Sequence, residues 1–202
     1  MTVLNLVVAA SADDAHETAA GVPSVTGTTI NVSAINTLGG FRFNNVTIAS
    51  GDTINSAYWR AYINGTAHDD PNFSAGCDDI DDSAAFTTTT NDLSARADTA
   101  ATATGSGTGV GAGYWPAAPG LAVAGPVQEV INRAGWASGN DLSVIMIGTT
   151  GCDVFWRAFD GGTGSYATLD IDYTAGGAPA GQPMMLRSTQ VPFTRQWHPR
   201  IN

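Results

Sequence analysis

Hydrophobic and polar positions alternate with a period of two along several short stretches of this chain, and a period of three to four is confined to one. In Ile54 to Ile63, Trp59, Ala61 and Ile63 fall on one face and Tyr58, Arg60 and Tyr62 on the other. Side chains of a strand alternate between the faces of its sheet, so this pattern predicts a central strand covered on both sides. Thr28 to Ile35 alternates Thr, Val and Ile with small polar residues, and Phe41-Arg42-Phe43 leads through Asn44-Asn45 into Val46-Thr47-Ile48. The apolar phase changes at the Asn pair, which predicts a bulge. Asp141 to Ile147, Val154 to Phe159 and Tyr166 to Tyr173 read as further strands, with Asp160-Gly161-Gly162 as a turn. The opening apolar run ends in Ala10-Ser11-Ala12 like a secretory signal, but it is short, broken by Asn5 and without a cationic lead, so it predicts a first strand.

The helical period occurs after Pro126. Val127, Val130 and Ile131 make one face, Glu129 is expected near the positive end of the helix dipole, Arg133 falls in the last turn and Gly135 is expected to stop the helix in a left-handed cap. A helix this short needs a sheet to pack on. Phe86 to Thr104, rich in Thr and Ala, predicts another strand around Arg96. Gly105 to Gly113 has glycine at every second position and reads as a flexible loop that ends at Tyr114-Trp115-Pro116. Many short strands, long loops and one short helix predict an all-β, two-sheet sandwich of jelly-roll type, with residues 1–174 as its body.

Composition sharpens this division. The chain has 202 residues, 43% of them apolar, enough for one sizeable core, and a net charge of −10 without a single lysine. Residues 175–202 form an extended tail of another kind: it opens Ala-Gly-Gly-Ala-Pro, has no acid, and carries Arg187, Arg195 and Arg200 among Met184, Met185, Leu186, Val191, Phe193 and Trp197. The body therefore holds five arginines against eighteen acids, and the tail three arginines against none. So acidic a body repels phosphate backbones, which argues against nucleic-acid binding. No apolar run reaches transmembrane length, so no membrane partner is expected and the chain is expected to be soluble. Aromatic, aliphatic and arginine side chains are those that anchor interfaces, which makes Arg187, Phe193, Arg195, Trp197 and Arg200 the candidate partner-binding residues.

Catalytic and metal chemistry find little support. Asp78, Asp79, Asp81 and Asp82 offer oxygen ligands for calcium, but not at the spacing of an EF-hand, and they read as a solvated acidic loop, so no metal or other cofactor is expected. Of His16, His68 and His198, His68 beside Asp69 and Asp70 is the one weighed as a general base, and it reads as a surface-loop histidine; no Gly-x-Ser-x-Gly elbow is present. Cys77 and Cys152 each sit in Gly-Cys-Asp; they could pair or remain free thiols. Trp59 and Trp136 are expected in the core, whereas Tyr114 and Trp115, in what reads as an irregular loop, are the candidates for stacking on a sugar.

Three groups of segments carry a resemblance. They are Gly40-Phe41-Arg42-Phe43-Asn44-Asn45-Val46-Thr47-Ile48 with Gly51-Asp52-Thr53-Ile54; Val127 to Leu142 with its Gly-Trp-Ala-Ser-Gly-Asn turn; and Arg157-Ala158-Phe159-Asp160 with Leu169-Asp170-Ile171-Asp172-Tyr173. This pattern resembles structural proteins of tailed-bacteriophage virions with a jelly-roll module, and is similar to carbohydrate-binding-like sandwich modules. The resemblance implies a non-enzymatic capsid decoration protein, assembled into the virion in the host cytoplasm. Its implied partners are other virion proteins, the major capsid protein first, and copies of itself in an oligomer. The alternative it implies is an adhesin or carbohydrate-binding module that meets a surface glycan.

Overall fold

The computed structural model describes residues 2–34, 38–65, 69–162 and 164–176. In chain order the strands are β1 (Thr2–Val7), β2 (Asp14–Glu17), β3 (Pro23–Ser24), β4 (Thr29–Ser33), β5 (Leu38–Phe43), β6 (Thr53–Ile63) and β7 (Asp69–Asp70). After these come β8 (Phe73–Cys77), β9 (Ala103–Gly105), β10 (Gly113–Trp115) and β11 (Leu121–Ala122), the helix α1 (Ala124–Ile131), and β12 (Leu142–Gly148), β13 (Asp153–Arg157) and β14 (Thr168–Thr174).

They form two antiparallel sheets. One runs β1-β14-β6, to which β11 adds on β6; the other contains β5-β12-β8-β9. When β1, β5, β6, β8, β9, β11, β12 and β14 are counted one to eight along the chain, the first sheet has the order one-eight-three-six and the second two-seven-four-five. That is the doubly wound Greek key of a jelly roll, in which the first strand closes against the last. The remaining strands are additions: β2 and β3 widen the second sheet beyond β5, and β4, β7, β10 and β13 build out from the far end of β6.

Strand β6 is the spine, as its two-sided pattern predicts. Residues Thr53 to Arg60 pair with β14 and Tyr58 and Trp59 with β11, while Ala61 to Ile63 pair with β10 and Ile63 also with Trp156 of β13. Ile54, Ala57, Trp59, Ala61 and Ile63 are buried inward. The Trp59 ring lies 5.4 Å from Phe41, 6.1 Å from Phe73 and 5.3 Å from Trp156, so the two sheets and the β13 addition meet on one indole. Mixed tilted and edge-on rings of this kind add to the stability that area burial alone supplies. Helix α1 buries Val127, Val130 and Ile131 in the same core, and Gln128 ties it to the start of β6 by accepting from the Ile54 N–H (2.7 Å) and donating to the Asp52 carbonyl (3.1 Å).

A smaller cluster, Ala15, Phe86, Leu93 and Ile145, lies on the opposite face of the second sheet. It forms because residues 78–101 do not make the strand predicted around Arg96; they run as turns over that sheet, paired only by the bridge of Asp78 to Asp98. Phe86 presses so closely on β5 that a Cβ at Gly40 would come within 2.5 Å of its ring, which is why glycine stands there.

Other expectations are corrected in detail. No bulge occurs at Asn44-Asn45: β5 ends at Phe43, Asn45 takes a left-handed φ of 55°, and Val46 and Ile48 continue into the core outside any strand. The indole of Trp136 holds that segment by donating to the Ile48 carbonyl at 2.9 Å. Both cysteines are buried and free. Glu129 lies away from the first turn of α1, and its carboxylate instead accepts from the Ala100 and Ala101 N–H groups, both at 2.8 Å.

Gly135 is no left-handed cap. The helix has already ended at Ile131, and the left-handed glycines do not include Gly135. Its need for glycine is one of space, because a Cβ there would sit 1.9 Å from Oδ2 of Asp81. Gly→Ala at a compatible backbone ordinarily stabilises by restricting the unfolded chain; here a Cβ would push the Asp81 carboxylate off Arg133, so Gly135→Ala should instead destabilise, by up to about 1 kcal/mol as loss of an exposed ion pair does. Chemical denaturation measures this, and a variant as stable as the parent or more so would mean that Asp81 is not held against the glycine.

Candidate functional site

Two groups of chemistry-bearing side chains stand out: an arginine–carboxylate network on the second sheet and an aromatic–arginine surface on the first. The network is built around Arg42 of β5, Arg96 and Arg133. Arg42 donates to Asp13 (2.6 Å) and to the Ser83 carbonyl (2.7 Å), and its other terminal nitrogen binds Asp141. Arg96 donates to Asp78 (2.9 Å), to the Ala84 carbonyl (3.0 Å) and to Asp92 (3.3 Å), with its guanidinium 4.5 Å above the Phe86 ring. Arg133 donates to Asp81 at 2.7 Å and also pairs with Asp79. Asp82 accepts the Asp141 N–H at 2.9 Å.

The four aspartates that suggested either calcium or a solvated loop are therefore occupied by arginines, a serine and the backbone. Among the described residues no group of three or more His, Cys, Asp or Glu side chains is placed to hold a metal ion. The network's work is structural: it clamps the 78–101 excursion to the sheet where hydrophobic contact is limited to Phe86 and Leu93. Glu17 adds to the clamp by accepting from the Leu93 N–H at 2.8 Å. The side chain of Asp13 is 2% exposed, so its pairing with Arg42 is nearly desolvated, and loss of one partner from such a pair is costly.

The second surface arises from strand alternation. Tyr114 and Trp115, expected in a loop, are consecutive in β10 and so point to opposite sides of the sheet. Trp115 turns inward, 5.8 Å from Phe73 and 5.9 Å from Trp156, as part of the core. Tyr114 turns outward, 38% exposed, perpendicular to Tyr62 at 5.5 Å. Arg157 lies 4.1 Å over Tyr62 and Arg60 5.1 Å over Tyr114. Arg157 also donates to the Asn64 side-chain oxygen at 3.1 Å, and Tyr114 donates its hydroxyl to the Tyr166 carbonyl at 3.2 Å. The result is a half-open row of two tyrosines and two arginines, with π faces and cations held in place by neighbours. Sequence reasoning found Tyr114 but missed Tyr62, Arg60 and Arg157, whose proximity depends on β6, β10 and β13 meeting at Ile63.

The tail residues Arg187, Phe193, Arg195, Trp197 and Arg200 lie outside the described residues, as do His68 and His198. His16 is partly buried, and burial lowers its pKa below the ordinary histidine value. No protein-family model matches the chain, and no curated protein matches it.

One carboxylate is strongly perturbed. Asp14, on β2, is 2% exposed; its Oδ2 accepts the Phe159 N–H at 2.7 Å and its Oδ1 has no partner. Burial pushes its pKa up from 3.8 to about 7, against the lowering effect of that hydrogen bond and with help from Asp160 and Asp13. A raised carboxyl pKa means that the folded chain binds a proton which the unfolded chain releases, so this contribution is full below the unfolded value and is lost as pH rises through the folded one. Wild-type stability relative to Asp14→Asn should therefore fall between pH 4 and pH 7, by at most about 1.4 kcal/mol per pH unit. Denaturant titrations of both chains across that range give the difference; a flat difference would place the Asp14 carboxyl in the ordinary range.

Proposed function

We propose that this chain is a non-enzymatic structural protein of a tailed-phage particle, a capsid decoration protein whose jelly-roll body is displayed and whose residues 175–202 engage neighbouring subunits. The observation that carries the reading is the partition of its chemistry. Arg42, Arg96 and Arg133 are committed to internal carboxylates, which leaves the body with a large excess of acid, while the tail gathers three arginines, Phe193 and Trp197 with no acid at all. A tail of that composition suits burial against acidic or apolar surfaces, whether of the major capsid protein or of another copy. The jelly roll itself recurs in viral capsid and lectin domains alike, so it supports the context without selecting the reaction or ligand.

A second reading draws on the outward row of Tyr62, Tyr114, Arg60 and Arg157, which has the stacking faces and hydrogen-bond donors that a surface glycan would use. The two readings diverge under mutation. On the virion reading, Phe193→Ala with Trp197→Ala abolishes incorporation into particles and leaves the thermal midpoint unchanged, and loss of Arg195 and Arg200 weakens incorporation most at low salt, where charge contacts are least screened. On the glycan reading, Tyr114→Ala removes binding on a glycan array and the tail changes are silent. Purified particles that carry the tail double variant at full occupancy would remove the main support for the virion reading.

A further inference from the structure

The sheet edges are not equally protected: β7, β10 and β11, off the main path of the first sheet, are only two or three residues long. In the second sheet the ends are β3 and β9, only two and three residues long, and very short edges resist pairing with another chain. In the first sheet β4 is crowded at both ends, with Gly161 against the Thr28 carbonyl and Gly148 against that of Ser33. The other end is β1. Its six residues, Thr-Val-Leu-Asn-Leu-Val, contain no charge, proline or glycine, and its pairing with β14 runs without a break from Thr2↔Tyr173 to Val7↔Thr168. Among the described residues no strand pairs with its second side. Val3 and Val7 are 62% and 49% exposed, and Leu4 and Leu6 are only partly buried where they pack on the core. Charge, proline and a bulge, which ordinarily blunt an edge, are missing from these residues.

The sequence of this edge also selects its occupant. Val3-Leu4-Asn5-Leu6-Val7 reads the same in both directions. Antiparallel pairing with a second copy about a two-fold axis at Asn5 sets Asn5 opposite Asn5, Leu4 opposite Leu6 and Val3 opposite Val7. The half-buried leucines then form one row continuous with both cores, and the exposed valines another on the outer face. A shift by one residue would set the inner face of one copy against the outer face of the other. Asn5 already donates to Asp170 at 2.6 Å, which holds its side chain along the strand pair. The Asp170 side chains of the two copies would be three strand spacings apart, about 14 Å, beyond the Debye length of about 8 Å at physiological salt. The acidity of the body therefore does not forbid the contact.

We propose that β1 is a homodimer interface at which two copies join their first sheets into one continuous sheet, in the register that pairs Asn5 with Asn5. The contact needs nothing from residues 175–202 and stands whether or not the virion reading does. It is an isologous interface, closed by one two-fold axis, so it yields dimers rather than filaments.

Light scattering and sedimentation of the full chain over a concentration series test it. The wild type should form dimers, Val3→Lys with Val7→Lys should be monomeric with an unchanged thermal midpoint, and Phe193→Ala with Trp197→Ala should leave the dimer intact. Added salt should preserve or strengthen the dimer, the opposite of a tail–acid contact. Register is tested separately by cysteine. Opposed residues have Cβ atoms about 4.5–5.5 Å apart, so Asn5→Cys should cross-link to a dimer under mild oxidation. Val3→Cys should not, since the two Val3 positions are four residues out of register, about 13 Å apart and beyond disulfide reach. A wild-type chain that stays monomeric up to about 1 mM overturns the proposal; so do a dimer that survives the double lysine change, a dimer lost with the tail aromatics, or cross-linking that is equal at the two cysteine positions.

Discussion

Every layer of this fold is fastened to β6. Two strands of the jelly roll, β14 and β11, pair with its first part, and the strands that extend the sheet, β10 and β13, pair with its last. A strand with neighbours along its whole length and side chains on both faces has to fill both. Inward it carries Trp59, whose ring touches Phe41 and Phe73 of the other sheet and Trp156 of the extension. Outward it carries Arg60 and Tyr62, which with Tyr114 and Arg157 cover the far face. The outward tyrosine–arginine row is thus a consequence of the same eleven residues that set the core.

The choice of arginine as the sole strong base follows from the body's second structural task. The excursion from Asp78 to Ala101 contributes only Phe86 and Leu93 to a hydrophobic cluster, too little to hold such a length of turn. Guanidinium forks supply the remainder by reaching several oxygens at once, as Arg96 does with Asp78, Asp92 and the Ala84 carbonyl. A lysine ammonium is a point charge and lacks that planar geometry. Acids in excess of these pairs give the body its negative charge, and the tail is left as the part of the chain in which arginine meets no acid in sequence.

What could be read in advance depended on the range of the interaction. The alternation of Ile54 to Ile63 and the clustering of Val127, Val130 and Ile131 are local, and both elements formed as the pattern indicates. The jelly-roll winding followed from many short strands with one helix. Gly135, Glu129 and Phe86 to Thr104 were misread for one shared reason: their conformations are set by distant partners. Asp81 occupies the space beside Gly135, the Ala100 and Ala101 amides claim Glu129, and Arg96 gathers carbonyls that a strand would have given to a neighbour. Likewise Tyr114 is visible in the sequence as an aromatic in a loop, but its partners Tyr62 and Arg60 are 52 and 54 positions away and become neighbours only through the β6 pairings.

We propose that association runs through the margins of the body, residues 175–202 and the β1 edge, while Arg42, Arg96 and Arg133 are spent on carboxylates within it. Hydrogen–deuterium exchange, compared between the chain diluted until it is monomeric and the chain in its native assembly, tests this most directly. The account predicts protection gained on assembly within residues 175–202 and along Thr2 to Val7, with β6 and the Tyr62–Tyr114 face unchanged. Protection gained at Tyr62, Tyr114 and Arg157, with the tail and β1 unaltered, would contradict it.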